Sequence, residues 1–265
     1  MKYGFIGAGN MGGALATALS KKINPKDIAL ADKDQKKALE LAEKLDCGVC
    51  DVVSIIRECD VLFLGVKPQM LSSLADEIKD EIDCKAEKPV IVSMLAGVTI
   101  KKINTLLGSC PVIRIMPNMP VAVGSGMILL SKNSLVSDGV LNQFKEDMAL
   151  SGEIDEIDEK YIDAASAVSG CGPAFVAMFI EALADGAVSV GISREKAILY
   201  ATQTLLGTAE VVKSGVHPAL LKDRVCSPGG TTIAGVEALE DGAFRASVMN
   251  AVISAYEKTL KIAGA

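Results

Sequence analysis

The chain has 265 residues, half of them hydrophobic, with no Trp and few other aromatics, so it is long enough for two domains and its core is aliphatic. A net charge of −6 and a pI near 5.0 exclude a nucleic-acid partner, which needs clustered Lys and Arg. No secretory signal opens the chain, and the longest uncharged runs, Ile115 to Ser131 and Ala164 to Ile180, are broken by Gly and Pro short of a membrane span.

These features fit a soluble cytoplasmic protein, with surplus apolar surface left for a subunit interface. The seven cysteines follow no disulfide framework and read as reduced thiols. Cys47-Gly48-Val49-Cys50 is formally C-x-x-C, but without a second pair and with only His217 as an imidazole it reads as ordinary thiols and not as a metal site.

The N-terminal stretch Tyr3 to Gly13 organises the rest. A short apolar strand runs into Gly7-Ala8-Gly9-Asn10-Met11-Gly12, and an Ala/Leu-rich helix follows from Ala14 to Leu19. In the spacing G-x-G-x-x-G the first Gly makes the turn, the second lets a pyrophosphate reach the backbone, and the third brings the helix close to the strand. The helix start then offers unpaired N–H groups to phosphate. A second strand, Ile28 to Ala31, ends at Asp32, about twenty residues downstream, where a ribose-binding carboxylate belongs.

Further along, Lys33 to Leu45 reads as a helix with Ala38, Leu39, Ala42 and Leu45 on one stripe. Val61 to Val66 is a strand buried on both faces, followed by a helix from Met70 to Ile82 and a strand from Val90 to Ser93. Thr99 caps a helix to Leu107, Val112 to Ile115 is the next strand, and Gly126 to Ser131 and Glu153 to Ile157 flank a helix from Asp138 to Leu150. This alternation predicts a parallel doubly wound sheet.

From Glu159 onward only helical patterns occur: Tyr161 to Val168, Pro173 to Val190, Arg194 to Lys213, Pro218 to Val225, Ile233 to Leu239 and Phe244 to Ile262. Pro173 to Val190 is apolar on nearly every side and must be covered all round, which a helical half of this size achieves by packing among helices of a partner in a dimer. The boundary falls near Asp158.

Ligands of such a sheet lie beyond the carboxyl ends of its strands. Four stretches end there: the glycine turn, Gly65-Val66-Lys67-Pro68, Ser93-Met94-Leu95-Ala96-Gly97 and Met116-Pro117-Asn118. Ala96 and Gly97 are small enough to let a nicotinamide ring pass, and Lys67 is either an anion contact or a solvated side chain before a Pro turn. Asp32 favours the ribose diol of NADH, whereas Lys33 is the cation that could compensate a 2′-phosphate; NADPH or NADH therefore both stay open. In the helical half, Ser227-Pro228-Gly229-Gly230-Thr231-Thr232 opens a helix with free N–H groups and hydroxyls, a trap for a carboxylate or else a turn with Thr231 or Thr232 as N-cap.

Taken together, Gly4 to Gly12, Val66-Lys67-Pro68, Ala96-Gly97-Val98-Thr99, Met116-Pro117-Asn118, Ser169-Gly170, Gly172-Pro173-Ala174, and His217-Pro218 through Leu221-Lys222-Asp223 to Thr232 resemble pyrroline-5-carboxylate reductase along essentially the whole chain. The resemblance implies an α/β fold: a Rossmann-type doubly wound sheet over residues 1–158, then an all-helical dimerisation and substrate-binding domain over 159–265. It further implies a homodimer, with rings of dimers common in the family. The implied reaction is hydride transfer from NADPH or NADH to C5 of 1-pyrroline-5-carboxylate, giving proline.

Carried over, the resemblance places Thr232 on the imine nitrogen, the backbone of Gly230 and Thr231 on the substrate carboxylate, and Glu159 at an acidic substrate-site position. The cofactor falls to Gly7, Ala8, Gly9, Asn10, Met11, Gly12, Asp32, Lys33, Val66, Lys67, Pro68, Met94, Ala96 and Gly97. Cys171, Met119 and Asp32 depart from the family pattern of Ser, Thr and a small polar residue. The competing readings are a β-hydroxyacid dehydrogenase or general imine reductase, and a nucleotide-binding regulatory protein without turnover. Hydroxyacid oxidation wants a positioned base such as Lys, which the helical half does not clearly supply.

Overall fold

The computed structural model describes residues 1–263, so the last two residues of the expected helical domain lie outside the described part. It resolves into two compact units, Met1–Cys171 with the chain from Ala255 onward, and Gly172–Ser254. The first unit begins β1 (Tyr3–Ile6), α1 (Asn10–Leu19), β2 (Ile28–Ala31), α2 (Gln35–Leu45), β3 (Gly48–Val49), α3 (Val52–Glu58), β4 (Val61–Leu64) and α4 (Leu71–Cys84). It continues β5 (Val90–Ser93), α5 (Ile100–Leu107), β6 (Val112–Pro117), β7 (Gly126–Lys132), α6 (Asp138–Asp147), β8 (Gly152–Glu156) and α7 (Glu159–Ser169).

The eight strands form one sheet in the order β3-β2-β1-β4-β5-β6-β7-β8. Along β1, β4 and β5 successive side chains enter opposite faces: Tyr3, Phe5, Val61, Phe63 and Val92 on one, Ile6, Leu62, Leu64 and Ile91 on the other. Both faces are covered, which is why these strands read as unbroken apolar runs. Phe5 stacks on Phe63 across the β1–β4 pair with ring centroids 4.3 Å apart.

Four details depart from the sequence expectation. The sheet is not wholly parallel, because β7 runs antiparallel to β6; the link between them is a short 3-10 turn, Met119–Val123, too brief for the crossover that parallel neighbours need. The strand expected to Val66 leaves the sheet after Leu64, where Gly65 donates its N–H to the Ile6 carbonyl at 2.8 Å. Leu39 is 57 % exposed and lies off the buried stripe of α2, which is Ala38, Ala42 and Leu45. Helix α6 stops at Asp147, before a 3-10 turn, Ala149–Ser151, and Gly152 at φ +130°.

Two elements escaped the sequence reading, α3 and the two-residue β3. The run Val52-Val53-Ser54-Ile55-Ile56 is β-branched and suggests strand; what makes it helix is Asp51, whose carboxylate accepts the Ser54 N–H at 2.9 Å as N-cap.

Within the second unit, α8 (Gly172–Ser189) leads through Gly191 at φ +96° to α9 (Arg194–Lys213), followed by α10 (Pro218–Val225) and α11 (Thr231–Asp241); α12 (Phe244–Ala263) begins there. Phe179 of α8 meets Phe244 with centroids 5.8 Å apart. Of α8 only Ala184 is buried within the single chain, and Met178 is 69 % exposed. Within Glu159–Ser189 an 18-residue window reaches a mean hydropathy of 1.6, so by length and composition alone this stretch, longer than the uncharged run Ala164 to Ile180 inside it, is apolar enough to cross a membrane.

Gly152 provides a direct check on the β7–β8 edge. A Cβ there would stand 2.1 Å from the Gly126 carbonyl oxygen, in a backbone conformation that L side chains rarely adopt. Gly152→Ala is expected to destabilise the protein by about 2 kcal/mol or more, read as a lowered urea midpoint; an unchanged midpoint would contradict this packing.

Candidate nucleotide and substrate sites

The glycine turn is built by backbone contact. Gly7 sits at φ +110°, and a Cβ on it would lie 2.6 Å from the backbone of Gly65. A Cβ on Gly12 would stand 2.2 Å from the Gly7 carbonyl oxygen, whereas a Cβ on Gly9 would point into open space. The turn is therefore closed on the strand side and open outward. Helix α1 starts there with Gly9 as an N-cap that has no side-chain hydrogen bond, so its first-turn N–H groups stay available to an anion.

Asp32 is tied to this turn. Its Oδ2 accepts the Ala8 N–H at 2.7 Å and its Oδ1 accepts the Asp34 N–H at 2.9 Å. Beside it lies a cavity of about 420 Å³, whose walls include Gly7, Gly9, Asp32, Lys33, Val66 and Lys67. The neighbouring face around Ala8 and Asn10 is a separate shallow depression that Met119 also lines. A closed glycine cradle, an uncapped helix start and a fixed carboxylate fit a dinucleotide.

The remaining cofactor candidates divide by environment. Met11 and Met94 pack half-buried against the core. Pro68 opens a 3-10 turn, Pro68–Met70, with Lys67 as its N-cap. Ala96 is exposed and Gly97 takes φ +71°, so the loop after β5 is small and turned as the sequence suggests.

Glu159 has definite partners. Its Oε1 accepts the Ile100 N–H at 2.7 Å, capping α5, and pairs with Arg114 Nη1 at 3.3 Å. Arg114, 1 % exposed on β6, also holds Asp163 of α7 at 2.6 Å through Nη2. Glu159 and Asp163, one helical turn apart, thus fasten α7 to the sheet around one buried cation. The sequence reading missed Arg114 and Asp163; the charge inside V-I-R-I-M-P was the available signal. A larger cavity of about 990 Å³ lies beside Glu159, lined by Ile100, Lys101, Lys132 and Glu156 among others, and it lacks the glycine cradle. Asn118 links the end of β6 to α7, donating from Nδ2 to the Ser169 carbonyl at 2.9 Å and accepting the Met127 N–H at 2.9 Å.

In the second unit, Gly229 takes φ +68° and Gly230 is the N-cap of α11 without a side-chain hydrogen bond. Neither Thr231 nor Thr232 is therefore the N-cap, and both are exposed. Among the described residues neither hydroxyl makes a hydrogen bond. His217 caps α10, its Nδ1 accepting the Ala219 N–H at 3.2 Å.

The cysteines are all free. Burial pushes the Cys47 and Cys50 thiols up, and lifts Cys59 and Cys110 to about 11, so none of these is an activated thiolate.

Comparison with known proteins agrees with this architecture. Residues 159–262 match the family model for pyrroline-5-carboxylate reductase dimerisation, and residues 2–97 match that for NADP oxidoreductase, coenzyme F420-dependent. A pyrroline-5-carboxylate reductase of Methanosarcina acetivorans is 40 % identical over 268 residues, covering 98 % of this chain and 97 % of the relative. One from Arabidopsis thaliana is 38 % identical over 267 residues, covering 98 % and 95 %. The crystal structure of Plasmodium falciparum pyrroline carboxylate reductase with NADP bound superposes with a TM-score of 0.87 at 34 % identity, covering 100 % of this chain and 98 % of that one.

Two outcomes test the geometry. Removing the Glu159 carboxylate leaves buried Arg114 with Asp163 alone and the Ile100 N–H at the start of α5 without its acceptor, so Glu159→Ala should cost about 2 kcal/mol in chemical denaturation; a loss within error would contradict the pairing. At mildly alkaline pH, iodoacetamide should label exposed Cys84 before Cys47, Cys50, Cys59 and Cys110, and equal labelling would contradict the raised thiols.

Relatives this similar along nearly the full length of both chains leave no room for another assignment: the chain belongs to the pyrroline-5-carboxylate reductase family, a family of NAD(P)H-dependent oxidoreductases of proline biosynthesis.

Proposed function

We propose that this chain reduces 1-pyrroline-5-carboxylate to proline with NADPH or NADH, using the start of α11 as its substrate grip. The observation that carries the assignment of residues is the pair of unengaged threonine hydroxyls at a helix start capped only by glycine. Backbone N–H groups of Gly230 and Thr231, at the positive end of α11, take the substrate carboxylate. A Cβ on Gly230 would meet Ser227 Oγ at 2.3 Å, so a larger residue there would make Ser227 turn away. The Thr232 hydroxyl hydrogen-bonds the ring nitrogen and steadies it as the imine becomes an amine.

When bound, the reduced nicotinamide supplies the hydride. A protonated C=N is already electrophilic, so the protein's work is orientation and charge stabilisation. Gly7, Gly9 and Gly12 with the first turn of α1 hold the pyrophosphate, Ala8 and Asn10 flank it, and Asp32 and Lys33 stand at the adenosine ribose. Val66 and Lys67 border the same cavity, and Pro68 follows them in the turn that carries Lys67. Met11 and Met94 contribute backbone, and Ala96 and Gly97 give the nicotinamide room. Glu159 enters as a positioning residue: by capping α5 it anchors the segment that follows the Ala96-Gly97 loop.

The same proposal covers assembly. The apolar faces of α8 and its neighbours are covered by a second copy, consistent with the dimerisation family that residues 159–262 match, and not by lipid. We place the enzyme in the cytoplasm, where its free thiols stay reduced, and read larger assemblies as rings of dimers.

Incubation with 1-pyrroline-5-carboxylate and reduced cofactor should consume nicotinamide absorbance and yield proline. No consumption at saturating substrate would remove the proposal, and consumption only with a keto acid would favour the hydroxyacid dehydrogenase reading. Thr232→Ala should lower kcat by roughly tenfold to 100-fold with cofactor affinity unchanged; an unaltered kcat would remove Thr232 from this role.

A further inference from the structure

The cavity beside the glycine turn has a charge arrangement that bears on which dinucleotide it takes. Four charged side chains line it: Asp32 and Glu77 against Lys33 and Lys67, with no Arg among the lining residues. The anionic and cationic side chains balance, so there is no cationic surplus to receive a phosphate beyond the pyrophosphate that the helix start serves.

Asp32 is also held in place. Each carboxylate oxygen accepts one backbone N–H, Oδ2 from Ala8 inside the glycine turn and Oδ1 from Asp34 at the next bend. A carboxylate gripped at both oxygens cannot swing away from an incoming anion, and each oxygen keeps acceptor capacity for a hydroxyl donor. The two bonds also couple it to the phosphate turn, so moving Asp32 would disturb Ala8.

The one cation adjacent in sequence is Lys33. Its side chain is exposed and forms no ion pair among the described residues, so it is free to move and largely hydrated. A mobile ammonium screened by water offsets a fixed carboxylate poorly. The rigid group therefore decides.

We propose that Asp32 makes this chain select a dinucleotide with a free ribose diol, so that NADH is its preferred reductant and the 2′-phosphate of NADPH is disfavoured. The inference rests on the reductase reading above and goes further by choosing between the two cofactors that the family and the glycine turn leave open. The diol donates two hydrogen bonds to the Asp32 oxygens. A 2′-phosphate offers only negative charge at the same point.

The test is equilibrium binding, with the intact dimeric protein and no imine substrate. Calorimetric titration at fixed ionic strength with NAD+ and NADP+ should show the first binding at least about tenfold more tightly. Asp32→Ser should narrow or reverse that ratio by weakening NAD+ and strengthening NADP+; if this variant fails to fold, Asp32→Asn keeps the shape and should narrow the ratio in the same direction. Equal or tighter binding of NADP+ by the unaltered chain, or no binding of either, would overturn the inference. So would variants that leave the ratio unchanged. A chain that prefers NAD+ but reduces no 1-pyrroline-5-carboxylate would uphold the role of Asp32 while removing the reductase reading, so the two failures are distinguishable.

Discussion

The structure of the first unit depends on how closely the ends of β1 and β4 approach each other. Gly7 and Gly65 meet backbone to backbone, and Gly12 lays the start of α1 on the Gly7 carbonyl; a methyl group at Gly7 or Gly12 would overlap main-chain atoms. Because these contacts involve no side chain, the first turn of α1 lies directly over the strand ends with its N–H groups uncovered. Asp32 then reaches the same turn from β2 through the Ala8 N–H. Sheet, glycine turn and the Asp32 carboxylate are thus one hydrogen-bonded construction.

The helical half follows a different physical logic. Met178 on α8, Leu199 and Tyr200 on α9, and Met249 and Ile253 on α12 expose more than half of their surface within one chain. At about 25 cal/mol per Å² of apolar surface, covering several such helices is worth far more than any single polar contact. These are the helices that match the dimerisation family.

Much of this was legible in the sequence. The glycine spacing, the strand ends at Ala31 and Ser93 and the Thr99 cap of α5 are local signals, and the structure has each in place. What escaped the reading is non-local or overrides propensity. The antiparallel β7 follows from a connection too short to cross over, and α3 forms on β-branched residues because Asp51 caps it. Arg114 draws its meaning from Glu159 and Asp163, 45 and 49 residues away, which no local pattern reveals. At Thr231 and Thr232 the sequence leaves a carboxylate trap and a threonine cap both open; Gly230 takes the cap position, and neither threonine side chain caps the helix.

The central claim is that the helix start at Gly230, Thr231 and Thr232 receives the anionic substrate while the glycine turn at Gly7 to Gly12 receives the nucleotide. A crystal structure of the assembled enzyme with oxidised cofactor and a cyclic carboxylate that cannot be reduced tests it most directly. The account predicts the analogue's carboxylate on the N–H groups of Gly230 and Thr231, its ring within hydrogen-bond reach of the Thr232 hydroxyl, and the pyrophosphate on the first turn of α1. An analogue bound away from α11 in every subunit, with the cofactor in place, would contradict it.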